Sequence, residues 1–271
     1  FNTNTSKIIE AMIPVCNGEV VFEGDYTIAG VPGQGAKISM NFPNSAGSKT
    51  GKLLPTGQVK DTISLRDGRS VTVSLVDAAN PSVFFKAEDI GLSGRELPED
   101  CDSHPEILDI MEDIRTTAAV MMKLASSKEA VGPAVPKVAM VAVAQDYPAS
   151  DGSTIHAHEV DLLARTKALA TMNNTYAITG GICIATAAMI EGTVVNELCS
   201  TRAQASGEVR IGHPSGVLEL EVEVTTTAEH DWHLAQAGVS RTARPIMDGH
   251  VFVSRKVFQS ANDHGTSHPE R

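Results

Sequence analysis

Apolar and polar positions in the first seventy residues alternate over short distances and never follow a helical period. Runs of β-prone residues are separated by turn-forming ones, and Asn17-Gly18 is a dipeptide typical of a two-residue hairpin. We therefore predict only strands and turns in this part: strands at 7–15, 19–26 and 37–42, a Gly/Pro-rich connection at 29–35, and a polar loop at 43–51.

The pattern becomes stronger after residue 70, where long apolar segments occur. An apolar stripe at helical spacing predicts a helix over 105–126. An Ala- and Ile-rich segment that is apolar on nearly every side predicts a buried helix over 180–191. The segment 161–172 is compatible with a strand or a short helix. Further strands are predicted at 70–76, 82–86, 138–144, 209–211, 217–224, 239–244 and 248–253.

These elements predict an α+β fold in which strands wrap around the apolar helix and the other helix packs outside. We assign residues 1–70 to the closing strands of a first domain, 71–257 to a second domain, and 258–271 to a polar tail. The chain opens on Phe1 and reads as a strand from its first residues. We therefore expect the first domain to be truncated here.

The composition narrows the classes of partner. The chain has 271 residues, 42% of them hydrophobic, and its formal net charge is −11. No cluster of Lys and Arg is longer than a pair, which argues against nucleic acid and anionic membranes as partners. A small anionic substrate stays compatible with this charge because a binding site needs only local donors. A homodimer is also compatible with the sequence.

The cysteines and histidines show no metal-ligand spacing. The four cysteines form no C-x-x-C pair and fit reduced thiols in a cytoplasmic protein better than a disulfide framework. The histidines include close pairs at 156/158 and 230/233, but no H-E-x-x-H motif is present, so we expect surface histidines and no metal. No apolar run is long enough to cross a membrane.

The segment Asp77-Ala78-Ala79-Asn80-Pro81 interrupts a predicted strand. Asn tolerates left-handed backbone angles and Pro cannot donate to a sheet, so the segment is typical of a bulge or turn. It is also compatible with a strand end that directs the Asn80 amide at a ligand. The residues alone leave both interpretations open.

Two glycine-containing segments are candidates for binding an anion. Thr179, Gly180 and Gly181 open the apolar helix, where free N–H groups and the helix dipole favour a carboxylate. The alternative is that the glycines only allow close packing. Cys183 follows in the first turn, although a buried structural cysteine is the commoner case.

The second glycine segment lies between two predicted strands and reads Gly212-His213-Pro214-Ser215-Gly216. Its hydroxyl and backbone N–H groups suit an anion. An ordinary turn, with Pro and Gly in their usual positions, explains the same residues. Signatures of other enzyme classes are missing from the sequence: it has no G-x-S-x-G, no Walker loop and no G-x-G-x-x-G after a strand.

Six segments, in order across nearly the whole chain, resemble the PrpF family of aconitate and methylitaconate isomerases. They are F-N-T-N-T (1–5), G-K-L-L-P-T-G (51–57), D-A-A-N-P-S-V-F (77–84), T-G-G-I-C-I-A (179–185), G-H-P-S-G-V (212–217) and S-R-T-A-R-P-I-M-D-G-H-V-F-V (240–253). The resemblance implies the diaminopimelate epimerase-like fold, in which two pseudo-symmetric domains each form a β-barrel around a central helix.

The resemblance also implies an activity. Enzymes of this family are thought to move a C=C double bond in acids such as aconitate, methylitaconate or oxalomesaconate by allylic proton transfer, without a cofactor. It places the catalytic cysteine and lysine upstream of Phe1. This chain would then supply the carboxylate-binding half, formed by Asn80, Thr179, Gly180, Gly181, Gly212, His213, Ser215 and Gly216.

Two alternatives remain open at the level of the sequence. One is a cofactor-independent racemase or epimerase, which Ile178 disfavours because it takes the place of the catalytic cysteine of the epimerases. The other is a binding or accessory module without catalytic activity of its own.

Overall fold

The computed structural model describes residues 8–29, 31–43, 45–226 and 232–254. The segment 1–5 of the family resemblance, the histidine at position 230 and the predicted polar tail at 258–271 lie outside the described residues.

The described elements follow the predicted division into a strand-only part and a mixed part. The strands are β1 (Glu10–Met12), β2 (Val15–Cys16), β3 (Glu19–Val20), β4 (Tyr26–Ile28), β5 (Val31–Gly35), β6 (Ile38–Asn41), β7 (Asp61–Ser64), β8 (Ser70–Ala78), β9 (Asn80–Lys86), β10 (Lys137–Val143), β11 (Tyr147–Pro148), β12 (Thr154–Ile155), β13 (Leu162–Ala168), β14 (Thr171–Met172), β15 (Glu208–His213), β16 (Gly216–Thr226) and β17 (Trp232–Arg241). The helices are α1 (Pro98–Asp102), α2 (Pro105–Met121), α3 (Ile178–Met189), α4 (Val194–Leu198) and α5 (Thr201–Ser206).

Eleven of these strands form one mixed sheet. Its order is β1-β6-β17-β16-β15-β13-β10-β9-β8-β7, with β14 paired to β13. The pairs β9–β10 and β13–β15 are parallel, and the other neighbours are antiparallel. The mixed sheet with its helices confirms the α+β class; the pair of pseudo-symmetric barrels stays a prediction.

Helix α3 packs against β8, β9, β15, β16 and β17 of this sheet. Its residues from Gly180 to Ala188 are all buried. A helix that is apolar on nearly every face must be covered on nearly every face, and these strands together with α4 provide that cover. The predicted arrangement of strands around the apolar helix is therefore correct.

Strands β8, β9 and β10 are buried on both faces because alternate side chains enter two different cores. Those facing α3 include Val76, Phe84 and Val141. Those facing the outer helix α2 include Leu75, Phe85 and Met140. The second core covers the apolar stripe of α2, as the sequence predicted.

Several predicted boundaries are wrong. Helix α2 ends at Met121, whereas the prediction ended it at residue 126. Helix α3 begins at Ile178, two residues before the predicted start at residue 180. The segment 161–172 forms the hairpin β13–β14, which settles the choice between strand and helix. The Gly/Pro-rich stretch 29–35 contains β5, because a two-stranded ribbon with β4 leaves room for a proline that donates no hydrogen bond.

Two further corrections concern strand pairing. The segment 77–81 does not interrupt one strand, because β8 and β9 are antiparallel partners joined at Ala79, whose φ is +60°. The predicted strand at 248–253 is not formed. No described strand lies beside it, and a β-prone pattern needs a partner for its backbone groups before it becomes a strand.

The sheet continues across the proposed domain boundary at residue 70. Strands β7 and β8 form a hairpin over this point, and Ile63 packs in the same core as the later Val73. Residues 61–64 therefore pack with the second part of the chain. The division into domains stays a prediction. Within the described ranges, no helix has both the length and the apolar character needed to cross a membrane.

A substitution at Gly207 tests how α5 packs against the sheet. It has φ +75°, and a Cβ there would lie 2.5 Å from the Val222 carbonyl oxygen. We expect Gly207→Ala to lower the free energy of unfolding by about 2–4 kcal/mol, from left-handed strain and the backbone clash together. Urea unfolding of the variant measures this loss.

Gly91 is the matched control, because it also follows a short helix with φ +80° but has nothing within 4 Å of an added Cβ. Gly91→Ala should lose only about 1 kcal/mol, the strain alone. Equal losses in the two variants would contradict the packing described here.

Candidate functional site

The predicted site residues lie at two turns and at the start of α3. Helix α3 has Ala177 as its N-cap, without a side-chain cap and without an acidic residue in the first turn. Its first intrahelical bond runs from the Gly181 N–H to the Ala177 carbonyl, at 2.8 Å. The N–H groups of Ile178, Thr179 and Gly180 have no acceptor among the described residues.

The three residues predicted at this helix start have different roles. Thr179 is exposed and Gly180 is buried, and both keep an unpaired N–H. Gly181 does not offer a donor, because its N–H is used inside the helix. A Cβ at Gly181 would lie 2.7 Å from the Leu218 side chain, so close packing against β16 accounts for this glycine. The prediction of Gly181 as an anion donor is therefore not supported by the geometry.

The turn 212–216 connects β15 and β16. His213 pairs with Gly216, and residues 214 and 215 form the tip. Gly216 has φ +133°, and a Cβ there would lie 2.6 Å from that of Ala29. The Tyr147 hydroxyl lies 2.6 Å from the Gly216 carbonyl and 3.1 Å from the His213 carbonyl. This buried tyrosine therefore holds both strands at the base of the turn.

Gly212 is required by packing against the same tyrosine. A Cβ at Gly212 would lie 2.6 Å from the Leu163 side chain and 3.0 Å from the Tyr147 ring. Both glycines of the turn thus have structural explanations, and their contribution to a ligand site would come from the backbone.

Both donors of Ser215 are used within the protein. Its N–H donates to His213 Nδ1 at 3.2 Å, and its hydroxyl donates to the Asn174 carbonyl at 2.7 Å. Asn174 lies shortly before α3, so Ser215 connects the turn to the segment that leads into the helix. Ser150 strengthens this connection, because its N–H donates to the Pro214 carbonyl at 2.7 Å. The structure thus brings the turn 212–216 and the start of α3 together.

His213 is buried, with 4% of its surface exposed. Burial, followed by the nearby Arg165 charge, lowers the pKa of His213 to about 4, while a hydrogen bond with the Asn174 main chain acts the other way. The ring is therefore neutral at neutral pH. That state suits an Nδ1 that accepts from the Ser215 N–H.

Asn80 begins β9 directly after the Ala79 turn. Its side-chain amide is half-buried and makes no hydrogen bond with any described residue. Strand β8, which leads into this turn, lies against the second turn of α3, since the Cys183 thiol donates to the Val76 carbonyl at 3.3 Å. The Asn80 amide is therefore an available donor on a turn between two strands that pack against this helix.

Asp77 explains how this turn is held. Its buried carboxylate accepts from Ser48 Oγ at 2.6 Å, Thr50 N at 2.7 Å, Thr50 Oγ1 at 2.8 Å and Lys49 N at 2.9 Å. These bonds fasten the loop 45–51 to the β8–β9 turn. In the motif 77–81, Asp77 is thus structural and Asn80 is the residue left available.

The cysteines offer no activated thiol in this region. Burial raises the pKa of Cys183 to about 12, and the buried Cys101 and Cys199 also reach about 12. All four cysteines are free, and Cys16 is exposed. The expectation of a structural Cys183 agrees with its complete burial.

The predicted residues do not share one cavity. Ser215 and Gly216 line a cavity of about 580 Å³ together with β4, Arg210 and Arg241, while Asn80 and Thr179 lie outside it. A second cavity of about 330 Å³ lies on the outer face of β15–β17 and contains no predicted residue. His156 and His158 stack at 5.7 Å, and within the described ranges no three His, Cys, Asp or Glu residues are grouped as metal ligands.

Residue-level reasoning missed Tyr147, Arg165 and Asn174, which support the turn 212–216. Arg165 could have been recognised from the sequence, because it lies within the largely apolar strand L-L-A-R-T-K-A. A cation in the middle of a buried strand is unusual and needs an explanation. Tyr147 and Asn174 gave no comparable signal.

His213 makes stability depend on pH. The pKa of a histidine in the unfolded chain is 6.5, whereas the pKa of His213 in the folded protein is about 4. Between these values the unfolded state binds more protons, so this stabilisation is present above pH 6.5 and is lost as the pH falls. We expect a loss of about 3 kcal/mol between pH 7 and pH 4 that is absent in His213→Gln. Urea unfolding of both proteins across this range measures it, and identical pH dependences would contradict the assignment.

Comparisons with known proteins identify the family of this chain. The family described as PrpF protein matches residues 1–254. The 3-methylitaconate isomerase of Eubacterium barkeri is 37% identical over 258 residues, covering 94% of this chain and 66% of that protein. The 2-methyl-aconitate isomerase of Cupriavidus necator is 34% identical over 266 residues, covering 95% and 66%.

A solved structure is also similar. The crystal structure of methylitaconate-delta-isomerase matches with a TM-score of 0.85 and 36% identity, covering 99% of this chain and 68% of that one. The chain spans just under two thirds of the length of the two curated relatives. With a family match over nearly its whole length and the same fold as that isomerase, the chain belongs to the PrpF family.

Proposed function

We propose that the protein is an isomerase that moves a C=C double bond in an unsaturated tri- or dicarboxylic acid, such as aconitate or methylitaconate, by allylic proton transfer. The observation that carries the proposal is the start of α3, where three N–H groups have no acceptor among the described residues, on a helix that packs against β8 and β9, the strands joined at the turn beside Asn80. The names of the relatives, which are double-bond isomerases of such acids, support the substrate class.

The described residues suit the binding of a carboxylate. Unpaired N–H groups at a helix start carry partial positive charge and accept an anion without a cationic side chain. Removing a proton beside a carboxylate spreads negative charge onto that group as the allylic anion forms. Donors held in place by a buried helix would stabilise the allylic anion more strongly than they stabilise the bound substrate in its ground state.

Neither Cys183 nor His213 suits the proton transfer itself. The Cys183 thiol is buried and its pKa is about 12, so it is not available as a base at neutral pH. The neutral His213 is buried and engaged with Ser215. We propose that the residues of this chain hold the carboxylates of the substrate, in a cytoplasmic enzyme that needs no cofactor.

The alternatives make different predictions for the same region. A two-thiol racemase would need a reactive cysteine at the start of α3, where this chain has Ile178. A binding module without activity would hold the acid but exchange no proton. Both alternatives are therefore outcomes of an exchange experiment.

The complete gene product should incorporate deuterium into cis- or trans-aconitate, or into methylitaconate, in D₂O as the double bond migrates. Proton NMR follows both events. Asn80→Ala should lower kcat/KM about ten- to hundredfold, the effect of losing one hydrogen bond to a charged group. Ser215→Ala should have a smaller effect, because its hydroxyl donates to Asn174.

Ser70→Ala is the matched control, since Ser70 is exposed at the far end of β8 from the Asn80 turn. Its kcat/KM should stay unchanged. Binding of these acids without any exchange would favour the accessory module. Exchange at the methyl-bearing saturated carbon of methylitaconate, with inversion and without migration of the double bond, would favour the racemase. Neither result is compatible with the isomerase.

A further inference from the structure

Arg165 lies in the middle of β13 and has only 1% of its surface exposed. No carboxylate of a residue that the structure describes binds it. Its Nε donates to the Glu96 carbonyl at 2.7 Å, and its Nη1 lies 3.1 Å from the Gly212 carbonyl and 3.0 Å from the Ala164 carbonyl. Its Nη2 is buried and has no acceptor among the described residues.

The other buried basic side chains behave differently. Arg115 and Lys167 both pair with the Glu112 carboxylate, at 2.6 Å and 2.8 Å. A buried cation without a paired anion costs several kcal/mol in desolvation. Arg165 is kept in this unfavourable state, and this suggests that it has a role beyond general packing.

The contacts of Arg165 converge on the base of the turn 212–216. The guanidinium lies over the Tyr147 ring, 5.0 Å from its centroid. The hydroxyl of that tyrosine donates to the carbonyls of His213 and Gly216, and Arg165 itself donates to that of Gly212. Three of the five residues of the turn are therefore held by this one pair of side chains.

We propose that Arg165 is a positioning residue for the carboxylate site. It fixes the base of the turn through Gly212 and Tyr147, and Ser215 then holds Asn174 and the entry into α3. Its charge also makes the interior behind the turn favourable for an anion, because charges act over longer distances in a low-dielectric medium. The inference rests on the proposed function, since the site is the one assigned there.

Four charged or titratable groups of the described residues face Arg165. They are Glu96 in the loop before α1, Cys101 on α1, Tyr147 on β11 and His213 on β15. Among them, His213 is a reporter that can be read by NMR, because the Arg165 charge contributes to lowering its pKa.

The test uses three variants of the complete gene product. Arg165→Met removes the charge at similar size, Arg165→Lys keeps the charge without the planar fork, and Tyr147→Phe removes only the hydroxyl. The readouts are the KM and kcat for the isomerised acid, the Kd for the unreactive analogue tricarballylate by calorimetry, and the pKa of His213 by ¹⁵N NMR.

Arg165→Met should raise KM and Kd at least about tenfold, with a smaller change in kcat, and should raise the pKa of His213. Arg165→Lys should restore the pKa of His213 and part of the affinity. Tyr147→Phe should weaken binding with less effect on that pKa, since the Arg165 charge remains. If Arg165→Met does not fold, the Kd values of Arg165→Lys and Tyr147→Phe test the proposal in its place.

Arg115→Met is the control, because Arg115 is also buried but pairs with Glu112 on α2. It should lose stability without changing Kd or the pKa of His213. The proposal is wrong if the Arg165 and Tyr147 variants leave Kd unchanged, or if Arg115→Met changes it equally. Failure of the proposed function would instead appear as absent turnover in the unsubstituted protein, while Kd and the pKa of His213 still test Arg165.

Discussion

Helix α3 imposes the main constraint on this structure. Its side chains are apolar in nearly every direction, so it is stable only where other apolar surface surrounds it. Seven strands, from β8 to β17, supply side chains to that surface: β8, β9, β10, β13, β15, β16 and β17. The helix start cannot be covered in the same way, because its first N–H groups have no partners inside the helix. A polar site at this end follows directly from the burial of the rest.

The surroundings of that helix start consist of buried polar groups that are nearly all satisfied. Asp77 fastens one turn, and Tyr147 with Arg165 fastens the other. Ser215 then joins the second turn to Asn174. Buried hydrogen bonds of this kind are costly to break, so they fix the geometry of the few donors that remain free. Rigid donors are what the stabilisation of a developing carboxylate charge requires.

Much of the fold could be predicted from local patterns. The apolar segment of α3, the stripe of α2 and the Asn17-Gly18 hairpin each have a strong periodic or turn signal. A bulge or turn within residues 77–81 could be predicted, but its position at Ala79 could not, because alanine rarely adopts a positive φ and the surrounding sheet imposes it. The strand prediction for 248–253 was wrong although the local pattern is typical of a strand, because no described strand pairs with this segment.

The candidate site stays a prediction, and the structure adds contacts that local motifs do not encode. Glycines 181 and 212 looked like ligand-binding residues, yet both are required by side chains that pack on them from distant elements. The hydroxyl of Ser215 is bound to a carbonyl 41 residues away, a contact that no local motif encodes. Arg165 was visible as a cation in an apolar strand, but its contacts with Gly212 and Tyr147 depend on the folded sheet.

The central claim is that the start of α3 binds a substrate carboxylate. A crystal structure of the complete gene product with tricarballylate, which cannot isomerise, tests it most directly. We expect one carboxylate within about 3 Å of the N–H groups of Ile178, Thr179 and Gly180, with the Asn80 amide beside it. A carboxylate bound only in the cavity on the outer face of β15–β17, with these three N–H groups still unpaired, would contradict the account.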